Sequence, residues 1–255
     1  MMARSTRPAS PEKSRPSAFW PLAAVAVPLI SLLMKVEIEG AEKLPRDGAY
    51  VLAPNHYSEV DPLAVALAVW RMGRAPRFMA KESLFRVPVL GWILRSTGMV
   101  PVARSSSASA ARQTLEAAET LVRHGRGVIV YPEGTLTREP DLWPMRGKTG
   151  AARLALAGGI PVVPMAHWGV QQVMPRYGKF RTWPLRRRVR VVVGDPIDLA
   201  ARGATLAQPG TLIAATDVVM GEISALLSQL RGETAPPARW DPSQHGQKET
   251  GRLDP

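Results

Sequence analysis

The chain is 255 residues long, 45% hydrophobic and 21% charged, which is enough to bury a core and excludes a wholly disordered chain, a fibre and a polytopic membrane protein. It has no Cys, so disulfides, thiol nucleophiles, Cys-based zinc sites and thiolate acyl carriers are excluded. Lys and Arg number 33 against 21 Asp and Glu, a net charge of +12 that calls for an anionic partner, while 6% aromatic residues are thin for stacking on nucleic-acid bases.

Residues 1–16 carry Arg4, Arg7, Lys13 and Arg15 against the single acid Glu12, among frequent Ser and Pro, and read as a disordered basic arm. Residues 17–34 are an apolar segment broken by Pro21 and Pro28. It falls short of the roughly 20 apolar residues that cross a bilayer perpendicularly. The favoured reading is a kinked helix in the membrane interface, with Phe19 and Trp20 at headgroup level. A buried core helix, a spanning helix and a secretory signal are the alternatives; the last lacks a small-residue cleavage site before Lys35.

Residues 35–231 alternate strand and helix patterns. Short apolar runs predict strands over 36–39, 50–53, 77–80, 99–102, 127–131, 161–166 and 189–193. Helical periodicity is clearest over 105–124, with Ala111, Leu115, Ala118 and Val122 on one face and Gly125 as the stop; 211–230 is another helix. The alternation predicts an α/β layer fold in which helices cover a largely parallel sheet. Residues 232–255, rich in Pro, Gly and charge, read as a disordered tail.

Of the four His, His245 lies in the tail, His124 in the last turn of a helix, and His167 at the end of a buried strand. His56 stands apart, directly after strand 50–53, in Pro54-Asn55-His56-Tyr57-Ser58-Glu59-Val60-Asp61-Pro62. Pro62 suits the first turn of a helix and Asp61 its N-cap. Strand-to-helix loops are where α/β folds bind ligands. A carboxylate five residues on could not share a helical face with His56, but across such a loop it can fold back onto one imidazole nitrogen and leave the other free to take a proton. The bland alternative is that Asp61 only caps and His56 only bonds within a turn. Arg104 stands at the mouth of the helix starting near Ser105, a natural phosphate site, and the strand at 127–131 runs into the polar turn Pro132-Glu133-Gly134-Thr135. Taken singly, Arg104 reads as a solvated charge and Glu133-Gly134 as an ordinary loop.

In this order the blocks resemble the lysophosphatidic acid acyltransferase family. Asn55-His56 through Asp61 matches the first block. Lys81-Glu82-Ser83-Leu84-Phe85 with Pro88, Gly91 and Gly98 to Arg104 resembles the second, Tyr131-Pro132-Glu133-Gly134-Thr135-Leu136-Thr137 the third, and Ile160-Pro161-Val162-Val163-Pro164 the fourth. Arg146-Gly147-Lys148-Thr149-Gly150 matches a Lys-x-Gly stretch that precedes a helix in many members. The likeness covers roughly residues 18–200; one block is weak, four in register are specific. Leu136 stands where the family has Arg, and Arg138 lies two residues on.

The resemblance implies a glycerolipid acyltransferase-like α/β fold: a central, mostly parallel or mixed sheet flanked by helices, with an N-terminal membrane-interface helix. It implies transfer of a fatty acyl group from acyl-CoA or acyl carrier protein to a hydroxyl of a lysolipid, without cofactor or metal. A hydroxyl is a poor nucleophile at neutral pH, so His56 is expected as general base oriented by Asp61, with no covalent acyl-enzyme. By carry-over, Arg104, the turn Glu133-Gly134-Thr135, Lys81 and Arg138 would hold the acceptor. The basic stretch with Arg176, Lys179, Arg181, Arg186, Arg187, Arg188 and Arg190, beside Tyr177 and Trp183, reads as a contact for anionic headgroups, as a site for the phosphates of CoA, or as a solvated loop. The expected partners are acyl-CoA, a lysophospholipid acceptor and an anionic membrane surface at the cytoplasmic face, and no nucleic acid. Other acceptors (glycerol-3-phosphate, another lysophospholipid, a glycolipid) remain open. So do a hydrolase using the same His–Asp pair and a non-catalytic basic membrane-binding protein.

Overall fold

A computed structural model of the chain describes residues 10–14, 17–102, 108–248 and 251. In chain order the elements are α1 (Pro11–Ser14), α2 (Phe19–Leu33), β1 (Met34–Glu39), β2 (Tyr50–Pro54), α3 (Asp61–Arg71), β3 (Met79–Lys81) and α4 (Pro88–Ser96). Then come β4 (Val100–Val102), α5 (Ala108–Arg123), β5 (Gly127–Ile129), α6 (Gly150–Gly158), β6 (Val162–Trp168), β7 (Arg187–Val193) and α7 (Pro209–Arg231).

The main sheet runs in the order β1-β7-β6-β2-β5, and β3 pairs with β4 apart from it. β2 is parallel to both β5 and β6, and β1 is parallel to β7. β7 returns antiparallel to β6. No crossover helix links those two strands, and an antiparallel return needs none. The sheet is therefore mostly parallel but mixed, as the family resemblance implies, and helices flank it.

Residue alternation along β2 divides the core. Tyr50 and Leu52 pack with Ala64, Val65 and Ala68 of α3 on one face. Val51 and Ala53 pack with Leu121 of α5, Leu154 of α6 and Val219 of α7 on the other. Burial on both faces explains why β2 reads as an unbroken apolar run. α7 is long and apolar enough to cross a membrane, yet Leu212, Val219, Ile223 and Leu227 are buried against the sheet, so it is a core helix here.

The parallel strands β2, β5 and β6 end at one edge of the sheet. Because β7 is antiparallel to β6, with Trp168 opposite Arg190, β7 starts at that edge; so does β1, with Met34 opposite Arg187. The C-terminal end of α2 and the basic stretch before β7 thus meet there, joined by the Arg186 N–H donating to the Leu32 carbonyl at 2.9 Å. α2 buries Phe19 and Ile30 and leaves Trp20, Leu22, Val25, Leu29 and Leu32 exposed.

Two stretches read as disordered contain ordered residues. Within the N-terminal arm, α1 lies against the body because Glu12 supplies the countercharge for Arg74, at 2.8 Å, and for Arg77. Arg74 is only 1% exposed and also donates to the carbonyls of Pro45, Arg46, Gly48 and Gly125. Within the tail, the Trp240 carbonyl accepts from the Arg146 N–H at 2.8 Å and the Trp240 ring stacks on His245. The rest of the arm (1–9, 15–16), the expected start of the helix at 105, and residues 249–250 and 252–255 lie outside the described residues.

Candidate active site

The loop after β2 carries His56, and its geometry follows from how Asp61 is used. Asp61 opens α3 and is fully buried. Its Oδ2 does not cap the helix. It accepts from the Tyr57 N–H at 2.6 Å and the Ser58 N–H at 2.7 Å, and lies 3.0 Å from His56 Nδ1. A carboxylate only accepts, so Nδ1 carries the imidazole proton and Nε2 keeps its lone pair. The side chain of His56 is 17% exposed, enough to meet a reactant from one side.

The turn after β5 grips the backbone of His56. Its N–H donates to Glu133 Oε1 at 2.9 Å, and its carbonyl accepts from the Thr137 N–H at 2.7 Å. Glu133 Oε2 accepts from the Met145 N–H at 3.1 Å. Burial pushes the Glu133 carboxyl up to about 8, against the lowering effect of the bonds from Met145, His56 and Thr137. Both carboxylate oxygens of Glu133 therefore face backbone, and its immediate effect is to place His56. Gly134 takes φ 70° beside Lys148, where a Cβ would stand 3.1 Å from the lysine Cδ; only Gly makes this turn without strain. Tyr131 stacks on the imidazole, ring centroids 4.0 Å apart, and its buried hydroxyl has no hydrogen-bond partner among the described residues.

A family model described as "Acyltransferase" matches residues 35–168, just over half of the chain. The chain belongs to this family. A 1-acyl-sn-glycerol-3-phosphate acyltransferase of Brassica napus chloroplasts is 34% identical over 142 residues, which is 55% of this chain and 39% of that protein. An enzyme of the same name from Bacillus subtilis is 29% identical over 204 residues, 79% of this chain and 93% of its own length. This chain thus spans well under half of the plant relative and nearly all of the bacterial one. The crystal structure of the 1-acyl-sn-glycerophosphate acyltransferase from Thermotoga maritima superposes with a TM-score of 0.63 over 85% of this chain and 80% of that one; at 23% identity it shows the shared fold.

The fold brings together His56, Asp61, Glu133, Gly134 and Thr135. Thr135 lines an open cleft of about 330 Å³ with Glu59, Leu136, Met174 and Tyr177. Arg138 is 2% exposed and donates to the Gly251 carbonyl at 3.1 Å, while Leu136, in the place of the family's Arg, is buried. The backbone of Lys81 lies in β3, on the small separate sheet; its side chain and all of Arg104 lie outside the described residues.

Sequence reasoning missed the residues behind the loop. His167 is the penultimate residue of β6, near the strand's end as expected, but it is fully buried against Asn55 and Tyr57. A histidine within an otherwise apolar strand was the available signal. Arg176 reads in the sequence as part of a basic stretch for headgroups, the phosphates of CoA or solvent, but its Nη1 donates to the Thr137 and Glu139 carbonyls at 2.6 and 2.7 Å and braces the β5 turn.

Proposed function

We propose that this chain transfers a fatty acyl group from a thioester donor, acyl-CoA or acyl carrier protein, to the free hydroxyl of 1-acyl-glycerol-3-phosphate, yielding phosphatidic acid. The observation that carries the reading is the His56–Asp61 pair at the sheet edge, with Nδ1 engaged by a buried carboxylate and Nε2 left to a reactant. The names of the relatives support the choice of acceptor. His56 Nε2 takes the proton of the acceptor hydroxyl as its oxygen attacks the thioester carbonyl. Asp61 holds the ring and balances the imidazolium that forms. Collapse of the tetrahedral intermediate expels the thiolate, which receives the proton back from Nε2. Thr135 borders the cleft that would hold the polar end of the acceptor, with Arg104 and Lys81 as the cations assigned to its phosphate; Arg138, buried against the Gly251 carbonyl, is left to support the turn. Glu133 acts through the His56 backbone.

The product stays in a membrane, and the reading places the site mouth against one. The exposed apolar stripe of α2 and the basic stretch with Trp183, 78% exposed, share the sheet edge that carries His56. The anionic cytoplasmic leaflet is the surface that suits this charge.

Purified protein given oleoyl-CoA and a panel of acceptors tests the function. Free CoA and phosphatidic acid should form one for one with lysophosphatidic acid. CoA release without a new lipid would make the chain a hydrolase. A better rate with glycerol-3-phosphate, another lysophospholipid or a glycolipid would replace the acceptor, and turnover of none would overturn the reading.

A further inference from the structure

Asn55, His56 and Tyr57 lie in the loop between β2 and α3, and their side chains have different partners. His56 faces the site. Asn55 and Tyr57 both turn to one buried residue, His167 of β6. The His167 N–H donates to Asn55 Oδ1 at 2.9 Å, and Asn55 Nδ2 donates to the His167 carbonyl at 3.2 Å. The ring of His167 lies 3.0 Å from the Asn55 carbonyl through Nε2 and 3.1 Å from the Tyr57 hydroxyl through Nδ1.

The first partner fixes a proton on Nε2, and the second can supply one to an unprotonated Nδ1. A carbonyl cannot donate, so Nε2 must carry a proton; the Tyr57 hydroxyl then donates to the Nδ1 lone pair and accepts from the Val170 N–H at 3.3 Å. Each ring nitrogen is satisfied by a neutral imidazole. Burial, the leading influence on this group, also lowers its affinity for a proton. Asp61 Oδ1 lies 3.9 Å from Nδ1 and has no hydrogen-bond partner among the described residues. A cation at this position would draw on the Asp61 charge that steadies His56. A neutral ring leaves that charge to the one imidazole that must accept a proton.

We propose that His167 is a positioning residue for acyl transfer: from the neighbouring strand β6 it clamps the residues on either side of His56 and, as a neutral donor–acceptor, leaves Asp61 no second imidazolium to balance. This rests on His56 being the base. His167 touches neither substrate, so its loss should act on turnover and not on binding.

The test measures kcat and KM per folded enzyme, with circular dichroism and thermal unfolding recorded for each variant. His167→Leu removes donor and acceptor and should lower kcat about 10²-fold, the scale of a base displaced by about 1 Å, with KM for both substrates within about twofold. His167→Gln restores one donor and one acceptor and should recover kcat to within about fivefold of wild type. A purely structural role would lower the unfolding temperature and leave kcat per folded molecule unchanged, which overturns the proposal; so does a raised KM at constant kcat, or a Gln variant as impaired as the Leu one. If His167→Leu does not fold, Tyr57→Phe, which removes the hydroxyl from Nδ1 and from the Val170 N–H but leaves the Asn55 bonds to His167, should lower kcat about tenfold, and an unchanged kcat there overturns the proposal equally. His56→Ala run alongside separates the claims: if it stays active, the base assignment has failed; if it is inactive while the His167 variants turn over normally, only the clamp has failed.

Discussion

At the scale of single residues, the site depends on buried acids whose hydrogen bonds go to the backbone. Asp61 ties down Tyr57 and Ser58 as well as His56, and Glu133 ties His56 to Met145. Glu133 has a stability signature. Its carboxyl titrates near 8 in the fold, above its ordinary 4.5. Between those values the folded chain holds a proton that the unfolded chain has released, so this group makes stability fall as pH rises from about 5 to 8. Urea unfolding across that range should show the decline, and Glu133→Gln, which cannot ionise, should flatten it; an identical slope in both proteins would contradict the assignment. The first block was legible because His56 and Asp61 sit within one loop. His167 was not, because its partner Asn55 is 112 residues away in sequence and only strand pairing brings them together.

At the scale of elements, strands buried on both faces were the easiest to read: β2, β5 and β6 are short apolar runs bounded by Pro, Gly or polar turns. The arm and tail were harder. α1 is ordered by Glu12 reaching Arg74, 62 residues on, and no local pattern announces that contact. α2 was legible as an apolar segment, but only packing separates the face with Phe19 and Ile30 from the exposed one with Val25 and Leu29. Placing charge on that stripe tests its role. The double variant Val25→Asp, Leu29→Asp should lower flotation on phosphatidylglycerol vesicles at least about tenfold, since each apolar side chain withdrawn from lipid forfeits on the order of 1.5–3 kcal/mol. Its unfolding temperature should hold, because exposed positions tolerate substitution. Wild-type flotation would remove α2 as a membrane contact.

At the scale of the whole molecule, the net charge of +12 is unevenly useful. Arg74 and Arg77 are buried and serve the fold, whereas Arg181, Arg186, Arg187 and Arg188 gather before and within β7 at the edge that bears His56. Vesicle binding should therefore weaken as salt rises from 0.05 to 0.5 M, as expected for charges screened over about 10 Å at 0.1 M, and should be weak on neutral phosphatidylcholine at any salt. Equal binding to both lipids would leave the apolar stripe as the sole contact. Chain composition alone gave the sign of this surface; its placement beside the site came from the antiparallel return of β7, which the sequence did not disclose.

The most direct measurement is kcat for acyl transfer to lysophosphatidic acid by wild type, His56→Ala and Asp61→Asn, with folding checked for each. Loss of the base should cost 10²–10⁴-fold or more in kcat, and Asp61→Asn, which keeps the shape but not the charge, should also lose most of the rate. Turnover at the wild-type rate by a folded His56→Ala protein would contradict the account.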